Sequence, residues 1–301
     1  MKNSMNGAAL IVTVWLIALA TILALNYSHA SRSNTKITTA SLARHQARAA
    51  AEAGLWRAVY EIESPLPDEP WLTDGTITEF EFGDAEVSVI AQDLMGLADL
   101  NSASPETLKT IIGYALEEPG RADRIVARIL DWRDVDHTQL SLGAEDPDYD
   151  AAGLNYGAKD GPFNVREELQ LVLGVTLDEY NAIAPFVTVY SQKASINLEV
   201  APDYMTQAMS EFESSGSPTT NSELGRRIRQ ITTPRNSTRR GSTNFEILVE
   251  AVVKGVISRV AASIEINRSR RGGPKVVILA WHETWPFTIP QVESDENSPA
   301  G

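Results

Sequence analysis

The feature that most constrains this chain is Ala8–Leu25, AALIVTVWLIALATILAL, a run of 18 residues with no charge and with Thr13 and Thr21 as its only polar side chains. As a helix rising ~1.5 Å per residue it would be about 27 Å long, close to the ~30 Å hydrocarbon core of a bilayer. The chain does not break after it. Asn26 to Ile62 holds no Pro, and its only Gly is Gly54. A membrane segment is therefore predicted to run straight into a long polar helix, with everything C-terminal forming a soluble body carried on that stalk.

A secretory signal peptide is the plain alternative, cut at Ser28-His29-Ala30. The apolar run is longer than the usual h-region, nothing breaks the helix at that point, and Gly7 precedes the apolar run instead of following it. The short leader MKNSMNG, then Gly7 and a helix that is kept, resembles a class III, type IV pilin-like signal. Lys2 and the N-terminal amine give a weak positive-inside bias, which leaves the body outside the cytoplasm.

The body is acidic, with 40 Asp and Glu against 26 Lys and Arg and a net charge of −14, so it repels nucleic acid and anionic lipid overall. It has no Cys, which removes disulfides and thiolate chemistry. The charge is uneven. Asp99–Tyr190 carries 17 acidic and 7 basic residues, whereas Gly225–Lys275 carries 3 acidic and 12 basic, and this points to a two-part body.

Ala-rich spacing over Asn26–Ile62 favours helix. Leu55, Val59 and Ile62, with Trp56 alongside, give its end one apolar face to pack on a sheet. Ser64-Pro65-Leu66-Pro67 stops it. Thr76–Phe82 and Ala85–Leu94 read as a hairpin turning at Gly83-Asp84. The next stretch is helical: Ser104 caps a helix with Pro105 in its first turn, running on through Thr107–Leu116, and Gly120–Trp132, Val165–Leu173, Leu177–Ala184 and Tyr204–Phe212 follow, with a polar loop at Arg133–Gly161. The Asn-containing steps Asp99–Pro105 and Ser195–Pro202 form a weak internal repeat. Ser214–Ser222 is a loop, and Arg226–Arg240 holds six Arg and no acid. Strands return at Phe245–Val253, Val256–Asn267 and Lys275–His282, turning at Lys254-Gly255 and Arg271–Pro274. Each strand set alone would be a small open sheet, so the two sets are expected to share one.

The predicted class is α+β: a pilin-like fold with a long N-terminal helix, transmembrane in its first part, an antiparallel sheet, and a large α-helical domain inserted between strands. The predicted segments are a leader at 1–7, the helix at 8–63, the first part of the sheet at 64–98, an acidic α-domain at 99–225, the second part of the sheet at 226–290 and a mobile tail at 291–301.

At this point the chain resembles the minor pseudopilin K family of the type II secretion system. The residues that carry the resemblance are Gly7–Val12; Leu100-Asn101 and Ile196-Asn197; Leu130–Asp136 (LDWRDVD); Gly143–Asp146 (GAED); Gly161-Pro162-Phe163 with Glu167-Glu168-Leu169; and Trp281-His282-Glu283. The resemblance implies cleavage between Gly7 and Ala8 by prepilin peptidase, methylation of Ala8, and an inner-membrane protein whose body is periplasmic. It also implies partnership with minor pseudopilins I and J, and with H and the major pseudopilin G. If Ala8 is the first mature residue, Val12 is the fifth, where most pilin-like proteins carry Glu. An apolar residue there needs no partner beneath it, which fits a place at the tip of the fibre. Trp15 departs from the usual aliphatic run.

The loop Asp131–Asp150 holds seven carboxylates within 20 residues, which repel one another unless a cation or solvent screens them. Oxygen ligands at irregular spacing suit Ca²⁺. A solvated acidic loop is the plain alternative, and the D-x-D-x-D-G order of an EF-hand is absent. The family's calcium binding in this region implies Asp134, Asp136, Glu145 and Asp146 as ligands, with Asp148 next. The Asn-Pro-helix steps also look like helix-hairpin-helix halves, but the acidity of the block argues against nucleic acid as a partner. His29, His45, His137 and His282 are scattered, and no nucleophile or phosphate-loop motif is present, so no enzyme is expected. A minor pilin of a type IV pilus is the alternative assembly role, and a membrane-tethered DNA-binding protein the alternative binding role.

Overall fold

The computed structural model describes residues 5–63, 71–214, 243–267 and 275–290, without the side chains of residues 5–9, 26, 28–35 and 212–214. The first four residues of the expected leader, the stop at Ser64–Pro67, most of the Ser214–Ser222 loop, the Arg-rich run, the Arg271–Pro274 turn and the tail after Pro290 lie outside the described residues.

Helix α1 spans Met5–Glu63 without interruption. Its C-terminal half lies across one face of an antiparallel five-stranded sheet. The strands are β1 (Asp74–Phe82), β2 (Ala85–Asp93), β5 (Asn244–Val253), β6 (Val256–Asn267) and β7 (Lys275–His282), in the order β1-β2-β5-β6-β7. β2 pairs directly with β5, from Glu86 opposite Val252 to Asp93 opposite Phe245, although all the intervening helices separate them in sequence. The two strand sets therefore build one sheet, as the sequence predicts.

The period-2 pattern explains which face is which. In β5, Phe245, Ile247, Val249, Ala251 and Val253 face α1 and are buried with Leu55, Val59 and Ile62 of the helix. Glu246, Leu248 and Glu250 alternate with them on the opposite face. Helix and sheet touch most closely at Gly54, where a Cβ would lie 2.8 Å from Val87 Cγ1 and 2.9 Å from Val249 Cγ1. Any side chain at this position would push the helix off the sheet. Trp56 corrects one expectation. Its side chain is 49% exposed, because position 56 lies beyond the edge of the buried stripe of Ala51, Leu55, Ala58 and Ile62.

The second core lies on the other face of the sheet. Ile90, Leu248 and Ala261 join it to the inserted domain, made of α2 (Pro105–Leu116), α3 (Pro119–Arg133), α4 (Asp146–Ala151), α5 (Leu177–Ile183) and α6 (Asp203–Ser214). Two short parallel strands, β3 (Ala98–Asp99) and β4 (Val187–Thr188), hold the domain's entry and exit together. Ser104 caps α2 by accepting from Thr107 N–H, with Pro105 in the first turn. The segment Val165–Leu173, expected as a helix, is instead a single 3-10 stretch, Arg166–Leu171. Arg166 and Leu169, three apart, are both drawn inward, and the three-per-turn winding aligns them. Helix α4 was not expected. It forms inside the polar loop on six residues.

Arg121 of α3 bonds Glu179 of α5 through Nε to Oε1 at 2.5 Å and Nη2 to Oε2 at 2.9 Å, and Thr176 N–H also donates to Glu179. Arg121, chiefly, and Thr176 hold the Glu179 carboxyl down to about 2. A carboxyl depressed on folding adds stability above its unfolded value near 4.5, and this contribution disappears as pH falls toward 2. Glu179→Gln should therefore flatten the acid limb of a Tm-against-pH curve below about pH 4.5. An unchanged limb would show that the pair does not couple to folding.

Candidate metal site and assembly surfaces

The acidic loop is built on α3. Asp131, fully buried near its end, accepts N–H bonds from Ala144 at 2.8 Å and Leu140 at 3.3 Å. This draws the far side of the loop back onto the helix. Gly143 packs so tightly there that a side chain would collide with the Asp131 carboxylate. Aromatic rings floor the loop: Trp132 lies 6.1 Å from Tyr149 and 6.0 Å from Phe163. Asn101 bonds both ways with Phe163, donating to its carbonyl at 2.9 Å and accepting from its N–H at 2.7 Å. Asn197 does something else, accepting from Glu199 N–H, so the two Asn steps are not equivalent.

On that floor Glu145, Asp160 and His137 bring one ligand atom each within 4.8 Å of one another. Asp134 joins them electrostatically. Burial, and then Asp136 and Asp160, push its carboxyl up. Glu145 is pushed up to about 7, first by burial and then by Asp131, Asp160 and Asp134. Both Glu145 oxygens, Asp134 Oδ1 and Asp160 Oδ1 are buried without a hydrogen-bond partner among the described residues. His137 Nδ1 stands 3.6 Å from Asp160 Oδ2; buried carboxylates normally find donors, so the four oxygens left without one fit a hard cation.

Of the five expected residues the structure brings Glu145 into this cluster, with Asp134 felt beside it through its charge. Asp136 is exposed and accepts from Thr138 N–H at 2.8 Å, and the Thr138 hydroxyl first and this turn bond second hold its carboxyl down. Asp148 accepts from Glu145 N–H at 3.0 Å and Gln139 Nε2 at 2.9 Å, fastening the start of α4. Asp146 is exposed in the first turn of α4, with its carboxylate against Gly157. Sequence reasoning missed Asp160. The clue was its place beside Gly161-Pro162-Phe163, whose Phe163 helps to floor the loop.

A second surface is the rod. From Leu10 to Leu25 the apolar side chains are exposed on every side, Val12 at 57% and Trp15 at 74%. Among the described residues no helix is long and apolar enough to cross a membrane; the described side chains of this run begin only at Leu10.

The closing-strand motif ties the parts together. His282 Nε2 lies 3.6 Å from Glu167 of the inserted domain, and Glu283 accepts from Arg48 of α1 at 2.7 Å. A continuous N-terminal helix on an antiparallel sheet, with a helical domain inserted between strands, defines an α+β protein.

Residues 92–192 match the family model of the first domain of type II secretion system protein K. The chain is 26% identical over 220 residues to a putative type II secretion system protein K of Escherichia coli K12, covering 66% of this chain and 67% of that one. It is 26% identical over 208 residues to protein K of Klebsiella pneumoniae, covering 62% and 63%. It is 33% identical over 89 residues to protein K of Pectobacterium carotovorum, covering 29% and 27%. The chain thus spans about two thirds of the first two of these relatives and 27% of the third. The fold matches a chain in the crystal structure of the GspK-GspI-GspJ complex of enterotoxigenic E. coli with a TM-score of 0.52 at 16% identity, over 84% of this chain and 98% of that one. Residues 92–192 thus match the first domain of type II secretion system protein K, and the chain is similar to members of that family over about two thirds of its length.

Proposed function

We propose that this chain sits at the tip of the type II pseudopilus, where it starts or caps assembly with minor pseudopilins I and J. The observation that carries this reading is the uninterrupted α1, which joins an apolar, fully exposed rod to a helix half fitted to the sheet. Such a rod has to be covered by lipid or by other helices. In this reading Ala8–Leu25 anchors the chain in the inner membrane before assembly and packs among pseudopilin helices afterwards, with the body in the periplasm. Prepilin peptidase cuts between Gly7 and Ala8 and methylates Ala8. Val12 offers no carboxylate to a subunit beneath, which suits a terminal place. H and the major pseudopilin G then follow below. The role is structural and not catalytic. Neither a type IV pilus nor DNA gains support from any particular feature of the structure.

Calcium is the cation proposed for the acidic loop, held by Glu145, Asp134 and Asp160, with the exposed side left to water. Bound there, it would supply the positive charge that four buried, donor-free oxygens lack. Coexpression with I and J tests the assembly reading. A stable ternary complex carrying this chain is expected on size exclusion in detergent. Elution of this chain apart from an I–J pair would contradict it.

A further inference from the structure

Residues 1–51 contain no Asp or Glu, although the whole chain has 40 of them, and the first acid is Glu52. The same stretch carries Lys2, Arg32, Lys36, Arg44 and Arg48, a charge of +5, so the remainder of the chain carries −19. The protein's charge is thus split between the stalk and the body it carries.

Lys36, Arg44 and Arg48 fall at multiples of four residues, with Ala40 at the step between the first two. Residues four apart on a helix lie one above the other on the same side. In this row Arg48 meets acids of its own chain. It bonds Glu52 at 3.1 Å and Glu283, just beyond β7, at 2.7 Å. Farther along α1, Arg57 bonds Glu61 at 3.2 Å. Lys36 and Arg44 differ from both. They are exposed, and neither has a hydrogen-bond or ion-pair partner among the described residues.

Their surroundings are uncovered too. From Lys36 to Ala40 every side chain is exposed, Ile37 at 65%. Burial of α1 against the sheet begins at Ala43. Ile37 precedes Arg44 by seven residues, which places it within about 20° of Arg44 around the axis. One side of the helix, just short of the sheet, therefore offers two free cations about 12 Å apart along the axis. A small residue stands between them and an aliphatic side chain beside them. A helix segment standing clear of the body in this way has little to hold it in water.

We infer that this side of α1 is the docking face for a helix of a neighbouring subunit that carries carboxylates about two turns apart, one opposite Lys36 and one opposite Arg44. Ala40 lets the two helices approach closely between the ion pairs, and Ile37 rests on the partner's apolar side chains. The partner is acidic because the stretch has no acid of its own to satisfy these cations. It is a helix because the row repeats at helical spacing along the stalk. The proposed face presupposes that α1 packs among the helices of minor pseudopilins I and J, as proposed for the assembly, and adds the charge those helices bring.

The test uses the full chain with I and J in nonionic detergent. Zero-length carbodiimide coupling, read by mass spectrometry, should join the Lys36 amine to an Asp or Glu of I or J. Coupling of Lys36 only within this chain, or not at all, overturns the proposal. The double variant Lys36→Glu, Arg44→Glu should weaken the complex at least tenfold, with folding checked by circular dichroism. Arg124→Glu, Lys193→Glu makes the same charge change at exposed positions of the inserted domain and should alter affinity less than twofold. Equal weakening by both pairs would reduce the effect to net charge and overturn the proposal. Unchanged affinity of the stalk variant, with lost retention on phosphatidylglycerol vesicles, would assign the two bases to lipid headgroups and overturn it as well. A parent chain that forms no complex with I and J contradicts the assembly reading and this face with it. A complex that forms and ignores the stalk variant contradicts the face alone.

Discussion

Arg166→Ala is expected to destabilise the folded protein by about 3–5 kcal/mol and to lower its Tm by on the order of 10 °C. Arg166 and Glu246 form an ion pair at 2.6 Å with side chains only 5% and 4% exposed. The pair joins the inserted domain to the centre of the sheet, since Arg166 opens the 3-10 turn and Glu246 sits in β5. The same guanidinium donates to the Ala184 carbonyl at 3.1 Å and lies 4.7 Å from the Phe287 ring centre. Three separate parts of the chain thus meet on one side chain. Removing it leaves the Glu246 carboxylate buried and uncompensated, which is costly whatever the pair itself contributes. The double variant Arg166→Met, Glu246→Leu should recover most of the loss, because apolar side chains of similar volume avoid that penalty. Thermal melts of the two singles and the double decide this. A mild effect in both singles would show that the domain is fixed to the sheet by its apolar contacts alone.

Calcium should raise the Tm of the same protein, and Glu145 should carry the effect. At a free concentration 100 times the dissociation constant the gain is about 2.7 kcal/mol, or several degrees for a body of this size. Glu145→Gln should abolish the calcium-induced rise. In chelator it should melt higher than the parent, because burial and the carboxylates of Asp131, Asp160 and Asp134 disfavour the charged form that glutamine lacks. Asp160→Asn should weaken the calcium response as well, and Asp136→Asn much less, because Asp136 serves a turn at Thr138. Melts in chelator and in excess calcium test all three. A parent protein whose Tm ignores calcium would remove the cation from the account.

The strands were legible because each is short, alternates in polarity and ends at a turn: β5 stops at Val253 before Lys254-Gly255, and β6 begins at Val256. That β2 and β5 pair could be argued from burial alone, since neither strand set could cover itself. The site was legible in part. Local crowding of carboxylates drew attention to Asp131–Asp150, but crowding does not say which of them face inward. Asp148 fastens a helix start and Asp131 pins the loop, and both roles depend on backbone N–H groups whose positions appear only after folding. Asp160 reaches Glu145 across a tertiary gap, with Gly161 N–H bonded to the Trp132 carbonyl beside it. The stretch Arg166–Leu171 reads as an ordinary helix in sequence, yet the demand to bury Arg166 against Glu246 and Leu169 in the core wound it more tightly.

The central claim is that the apolar rod is kept and that its short leader is removed. The most direct test is the intact mass of the mature protein, isolated from membranes of cells that express prepilin peptidase. The account predicts a chain that begins at Ala8, carries one added methyl group and stays with the membrane fraction until detergent is added. A mature chain that begins near Ser31 and is soluble without detergent would contradict it.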